Sequence, residues 1–303
     1  MALDAGNTTV TTSASIVGGV GKVLGDAVIA FNKVNVISPL IASKTGVTGS
    51  ITVEWADWKV ASYADVAQTN EFSEATVQQI DTTARTATLT EHVLQIDIAD
   101  LAEQGYGAGG SLGGNAGSVI GNAISARLDN DLAALFAPGN FTNDVAGAGA
   151  TLKHTHIFEA LRFLHANQAP APLNLVLGTQ QMWGELGLRA IITGSATGLT
   201  GAVNIFGSNQ MGTDLSQNGF VTRFAGFDVY VTPEIVEDGS NDEAGCAFSR
   251  NAMGMAVPAK GLISIETQRD ASKRMTEYVG VGTWGEAIIK ELYGVSVTSD
   301  VNY

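Results

Sequence analysis

"GYGAGGSLGGNAGSVIGNAISARLDNDLAALF", residues 105–136, joins a glycine-rich run to a long apolar period, and its reading decides the fold. Two catalytic fingerprints fit its first ten residues. Gly105, Gly107 and Gly110 match G-x-G-x-x-G, which lets a backbone approach a dinucleotide pyrophosphate; Gly109, Ser111 and Gly113 match G-x-S-x-G, the nucleophile elbow of hydrolases. The dinucleotide reading needs a buried strand running straight into the glycines and a helix opening on the third of them. Here the lead-in "LQIDIADLAEQ" carries charges at 97, 100 and 103, and the helical period begins well past Gly110. Asp129 stands near the offset of a ribose carboxylate, but on the helix and not at a strand end. The elbow needs Ser111 pinched in a strained turn, with an acid and a histidine downstream. His154, His156 and His165 follow in order, yet "LGGNAGS" is too flexible to hold that strain. With 36 glycines in the chain, such spacings arise by accident, and a hydrolase or dehydrogenase on 105–114 is kept only as the rival reading.

The period that follows is firmer. Ile120, Ile124, Leu128, Leu132 and Leu135 recur at helical spacing, with Asn115 or Ser118 available as a cap, which predicts a helix of about six turns. Downstream, "THIFEALRFLHAN" (155–167) puts Ile157, Leu161 and Leu164 on one face of a second helix, ended by "APAP". "LNLVLGTQQMWGEL" (173–186) reads as a buried strand, a tight turn and a helix, and 194–219 as a long loop. "FAGFDVYVTPEI" and "GCAFSRNAMGMAV" read as strands separated by the acidic turn "EDGSNDEAG", and 260–301 supplies further strands.

Upstream, residues 51–98 are rich in Thr and Val and alternate, Ile51, Val53 and Trp55 on one face. Between the alternating runs, "ASYADVAQTNEFSEA" (61–75) is acidic and aperiodic, so the segment reads as a two-stranded excursion with a mobile tip that must lean on this chain or a neighbour. Trp55 and Trp58 lie on it, with burial inside the chain and against another subunit equally open. Residues 1–20 are small and polar, an arm awaiting a partner, and Lys22–Phe31 allows a short helix. The order of elements argues an α+β fold with two lobes.

Composition removes several functions. A formal charge of −14 over 303 residues, with no basic run, argues against sequence-specific nucleic-acid binding. No stretch reads as a signal peptide or a spanning helix, so no membrane role is expected and synthesis in a cytoplasm is. The single cysteine, Cys246, forbids an intrachain disulfide and reads as a small buried apolar residue. His154 and His156 lack a third ligand at fitting spacing. Asp97, Asp100 and Glu103 would share one helical face, a solvated patch and not a glycosidase pair. No cofactor, metal or catalytic residue is expected.

Taken in order, the arm, β excursion, glycine run, long helix, α/β lobe and final β return resemble the major capsid protein of tailed bacteriophages, the Hong Kong 97-like fold. The likeness is clearest in "FAGFDVYVTPEI", "AGCAFSRNAMGMAV" and "ETQRDASKRMTEYVGVGTWGEAIIKELYGVSV". It implies an N-terminal arm at 1–45, an extended loop at 46–98, a peripheral domain at 99–170 with a spine helix, an axial domain at 171–258 and peripheral return strands at 259–303. It further implies self-assembly as hexamers and pentamers into an icosahedral shell around double-stranded DNA. Trp55, Trp58, Tyr63 and Phe72 become interface residues, and Gly105, Gly107, Gly109, Gly110, Gly113 and Gly114 a hinge. The implied partners are copies of itself, a separate scaffolding protein, the portal and a cement protein; the implied location is the virion, after synthesis in the bacterial host cytoplasm. Within the same fold, an encapsulin-type nanocompartment shell is the alternative.

Overall fold

The computed structural model describes residues 35–58, 81–105, 112–187 and 220–301. Residues Leu173–Gly178 form a strand, β6, that is buried along its whole length. Leu173, Leu175 and Leu177 enter one core and Val176 another, because successive side chains of a strand point to opposite faces. A strand covered on both faces belongs inside a sheet. Accordingly β6 lies between β8 (Phe227–Thr232), to which it is parallel, and β9 (Asp242–Ser249), to which it is antiparallel. The full six-stranded sheet runs β5-β13-β9-β6-β8-β7, with β5 at Asn143–Ala146, β7 at Phe220–Phe224 and β13 at Gly294–Asp300. The helix His154–Ala166 covers one face through Ile157, Ala160 and Leu164.

A second sheet has the order β1-β10-β12-β11, with β4 also on β12; these are Ala42–Val47, Met253–Pro258, Met275–Ile288, Ile263–Asp270 and Thr90–Ala99. Its central strand, β12, pairs with β4 over Met275–Trp284 and then with β10 over Gly285–Ile288. The long helix lies across it. That helix spans Leu112–Ala134, the 23 residues of the predicted six turns, and buries Ile120, Ile124, Leu128 and Leu132. Glycine sets the distance of approach, since a Cβ at Gly280 would run into the Ile120 side chain. The helix opens at Leu112, ahead of the expected caps Asn115 and Ser118, because Leu112 and Ala116 pack with Ile98 and Ala102 and hold its first turn.

Strand pairing joins several of the expected segments to one another. β1, at the end of the expected arm, is parallel to β10; β4, at the end of the expected loop, is a full member of the second sheet. β10, counted with the axial lobe, pairs with β12, and β13, counted with the return strands, sits between β5 and β9. Pairing between residues distant in sequence is invisible to local periodicity, and each of these assignments depends on it.

Candidate assembly surface

One element stands apart from both sheets. β2 (Thr52–Trp58) and β3 (Thr82–Thr88) form an antiparallel ribbon from Thr52↔Thr88 to Trp58↔Thr82, its root closed by Leu89 N–H donating to the Ile51 carbonyl at 2.8 Å. In this ribbon only Val53 and Ala87 are buried. A two-stranded ribbon is marginal by itself, so its contacts with the body carry it. The Trp55 ring lies over Gly254 of β10, where an added Cβ would come within 3.1 Å of the indole. Lys290 reaches up with its Nζ 3.2 Å from Asp57 Oδ1 and donates to the Trp58 carbonyl at 3.0 Å. Arg85 pairs with Glu291 at 2.8 Å, and Lys44 Nζ donates to the Glu54 carbonyl at 3.2 Å. The partners of the Lys290–Asp57 pair are more buried than those of the Arg85 pair, whose worth is under about 1 kcal/mol.

Trp55 therefore packs inside the chain on one side, and Trp58 is 59% exposed and Ile51, at the root, 68%. Tyr63 and Phe72 lie outside the described residues. Of the hinge glycines, Gly105 ends the short helix Asp100–Gly105 and Gly113 and Gly114 fall in the first turn of the long helix. Gly107, Gly109 and Gly110 lie outside the described residues, together with Ser111.

The other candidate residues have structural partners. Asp97 is on β4 and accepts from Gln95 Nε2 at 2.8 Å, so it does not share a helical face with Asp100 and Glu103 as the spacing suggested. Both Asp100 oxygens accept from the Arg269 guanidinium, at 3.0 and 2.7 Å, and those bonds hold its pKa below the usual value. His154 stands edge-on to Phe224, with burial depressing its pKa, and His156 Nδ1 accepts from Lys153 N–H at 3.3 Å. His92 stacks on Trp284 with ring centres 4.2 Å apart. Cys246 is fully buried, which pushes its thiol pKa up. Among the described residues no group of three His, Cys, Asp or Glu could hold a metal ion, and no helix is long and apolar enough to cross a membrane.

Asp129 is the residue whose role sequence reasoning missed, although it lies on the long helix as expected. Fully buried, it accepts Val36 N–H at 2.6 Å and Ile37 N–H at 3.1 Å, fastening the chain just ahead of β1 onto the long helix. Burial raises its pKa from 3.8 to about 7, against the opposing effect of those donors. The next residue, Asn130, donates to the Glu234 carbonyl at 3.0 Å and ties a second segment to the same helix. The available signal was position: Asp129 falls in the buried arc with Ser125 and Leu128.

No family model and no curated protein matches the sequence. Solved structures do. The capsid protein of the cyanophage P-SCSP1u matches with a TM-score of 0.62 at 12% identity, over 99% of this chain and 92% of that one. The capsid of Ralstonia phage GP4 gives 0.61 at 10% identity, over 100% and 98%. Its fold is that of a Hong Kong 97-like capsid subunit. The SrpI encapsulin of Synechococcus elongatus has the same capsid fold, with a TM-score of 0.57 at 12% identity over 88% of this chain and 87% of that one. At such identities the capsid fold is specified by where apolar and small residues fall, as at Gly280 under Ile120, and not by particular letters.

Proposed function

We propose that this chain is the major capsid protein of a tailed bacteriophage, a structural protein and not an enzyme. The observation that carries the reading is end-to-end overlap with capsid subunits by a chain whose β2–β3 ribbon leaves Trp58 and Ile51 exposed. In this reading the ribbon is the extended loop, Leu112–Ala134 the spine helix, and the six-stranded sheet the core of the axial domain. Copies assemble as hexamers and pentamers into an icosahedral shell enclosing double-stranded DNA; an isolated ribbon with an exposed aromatic is the kind of element that laps onto a neighbour. The glycines at 105–114 act as the joint between loop and spine helix. The scaffolding protein, portal and cement protein are its assembly partners, and the virion is its destination after synthesis in the host cytoplasm.

An encapsulin-type shell is the second reading, favoured by the match to the Synechococcus encapsulin. Cargo separates the two, a phage shell holding DNA and a nanocompartment an enzyme. Electron microscopy of the purified full chain tests the shared claim: closed shells or rings of five and six are expected. A monomer or dimer under every condition, with or without co-expressed scaffold, would overturn it.

A further inference from the structure

A recess of about 350 Å³ opens where the end of the long helix meets β9 and β13. Ala133 and Ala137 give it an apolar wall, Glu234, Asp238 and Asp242 supply carboxylates, and among the described residues no lysine, arginine or histidine lines it. Thr298 lines it too; it is only 4% exposed, and its buried Oγ1 has no hydrogen-bond partner. A buried hydroxyl left unpaired is costly and rare in native proteins, and here it marks a position for a donor from outside the described chain.

The carboxylates have capacity to spare. Asp242 Oδ1 accepts from Gly149 N–H at 2.9 Å, and Asp238 Oδ1 accepts from Ser240 and Asp242 N–H at 2.7 and 3.0 Å. The second oxygen of each has no donor among the described residues. Burial raises the pKa of Glu234, and Glu234 in turn raises that of Asp129, and among the described lining residues no cation offsets these carboxylates. These acids do not converge closely enough to ligate a metal ion. An ammonium on an aliphatic stem suits them better, because it brings three donors that separate acceptors can share and methylenes that the alanines can cover.

We infer that this recess binds a primary alkylammonium group, its stem against Ala133 and Ala137 and its nitrogen bonded to Thr298 Oγ1 and the surrounding carboxylates. A free polyamine or a lysine side chain from another copy of the chain would present the same chemistry.

Isothermal titration of the full chain as free subunits with 1,4-diaminobutane, against magnesium chloride at matched ionic strength, tests the inference without relying on the shell reading. Saturable binding of the diamine is expected, weakened about tenfold in Glu234→Gln and about fivefold in Thr298→Val. Thr298→Val should also melt at or above the wild-type temperature, since the hydroxyl it removes has no partner. Repeating the titration on assembled particles separates the sources: retained binding points to a free polyamine, and blocked binding to a neighbour's lysine. No diamine binding, binding unchanged in both variants, or equal heat from magnesium would overturn the inference.

Discussion

β13 in the six-stranded sheet buries every residue except Asp300, whereas β2 in the ribbon buries Val53 alone. The first strand lies between two others, with apolar cores on the sheet's two faces; the second has one partner and touches the body through Trp55, Asp57 and the Trp58 carbonyl. The contrast separates two tasks. Apolar burial in the sheets stabilises the subunit, at about 25 cal/mol per Å² removed from water, while the ribbon keeps surface that a lone subunit does not use. Folding and assembly are therefore open to separate perturbation.

The largest expected effect is inside the shared core. Phe248 on β9 is fully buried and tilts against Phe136 at the end of the long helix, with ring centres 5.8 Å apart. Phe248→Ala should cost about 4 kcal/mol of unfolding free energy by urea titration. A loss under about 1 kcal/mol would mean that the sheet core does not carry the fold.

Next comes the buried carboxylate. Asp129 has its pKa raised from 3.8 to about 7, so its contribution is fully present below pH 3.8 and is lost as pH rises through about 7. Between those values it should lower stability by at most about 1.4 kcal/mol per pH unit, and Asp129→Asn should flatten that part of the urea-midpoint profile. An unchanged slope in the variant would remove Asp129 as its source.

Smallest for the subunit is Trp58→Ser. At 59% exposure the change should alter the unfolding free energy of free subunits by no more than about 0.5 kcal/mol, leaving their melting temperature nearly unmoved, while lowering the yield of particles. A large drop in melting temperature would place Trp58 in the subunit's own core and break the contrast.

The same contrast explains what was legible in the sequence. The spacing of Ile120, Ile124, Leu128 and Leu132 announced the long helix, and the apolar run at 173–178 announced β6, because each is a local pattern with one buried face or none exposed. The helix start was not legible, since Leu112 packs with Ile98 and Ala102, contacts that lie outside the helical period. Sheet membership was not legible either: β12 changes partners near Gly285, and nothing in "TWGEAI" signals that exchange. Trp55 and Trp58 looked alike as letters. Their difference arises because a strand turns residues three apart to opposite faces, and only the face of Trp55 meets Gly254 of β10, about two hundred residues away. Asp129 read as a stray motif match because its partners are backbone N–H groups, which any residue but proline supplies.

The central claim, that the ribbon serves assembly and the sheets serve folding, is tested most directly by replacing residues 52–88 with a short turn between Ile51 and Leu89, whose backbones are already bonded at 2.8 Å. Sedimentation and circular dichroism would then be compared with the full chain. The account predicts that the full chain forms shells and that the shortened chain stays folded but sediments as small species. Shells of the same size from the shortened chain, or collapse of its fold, would contradict it.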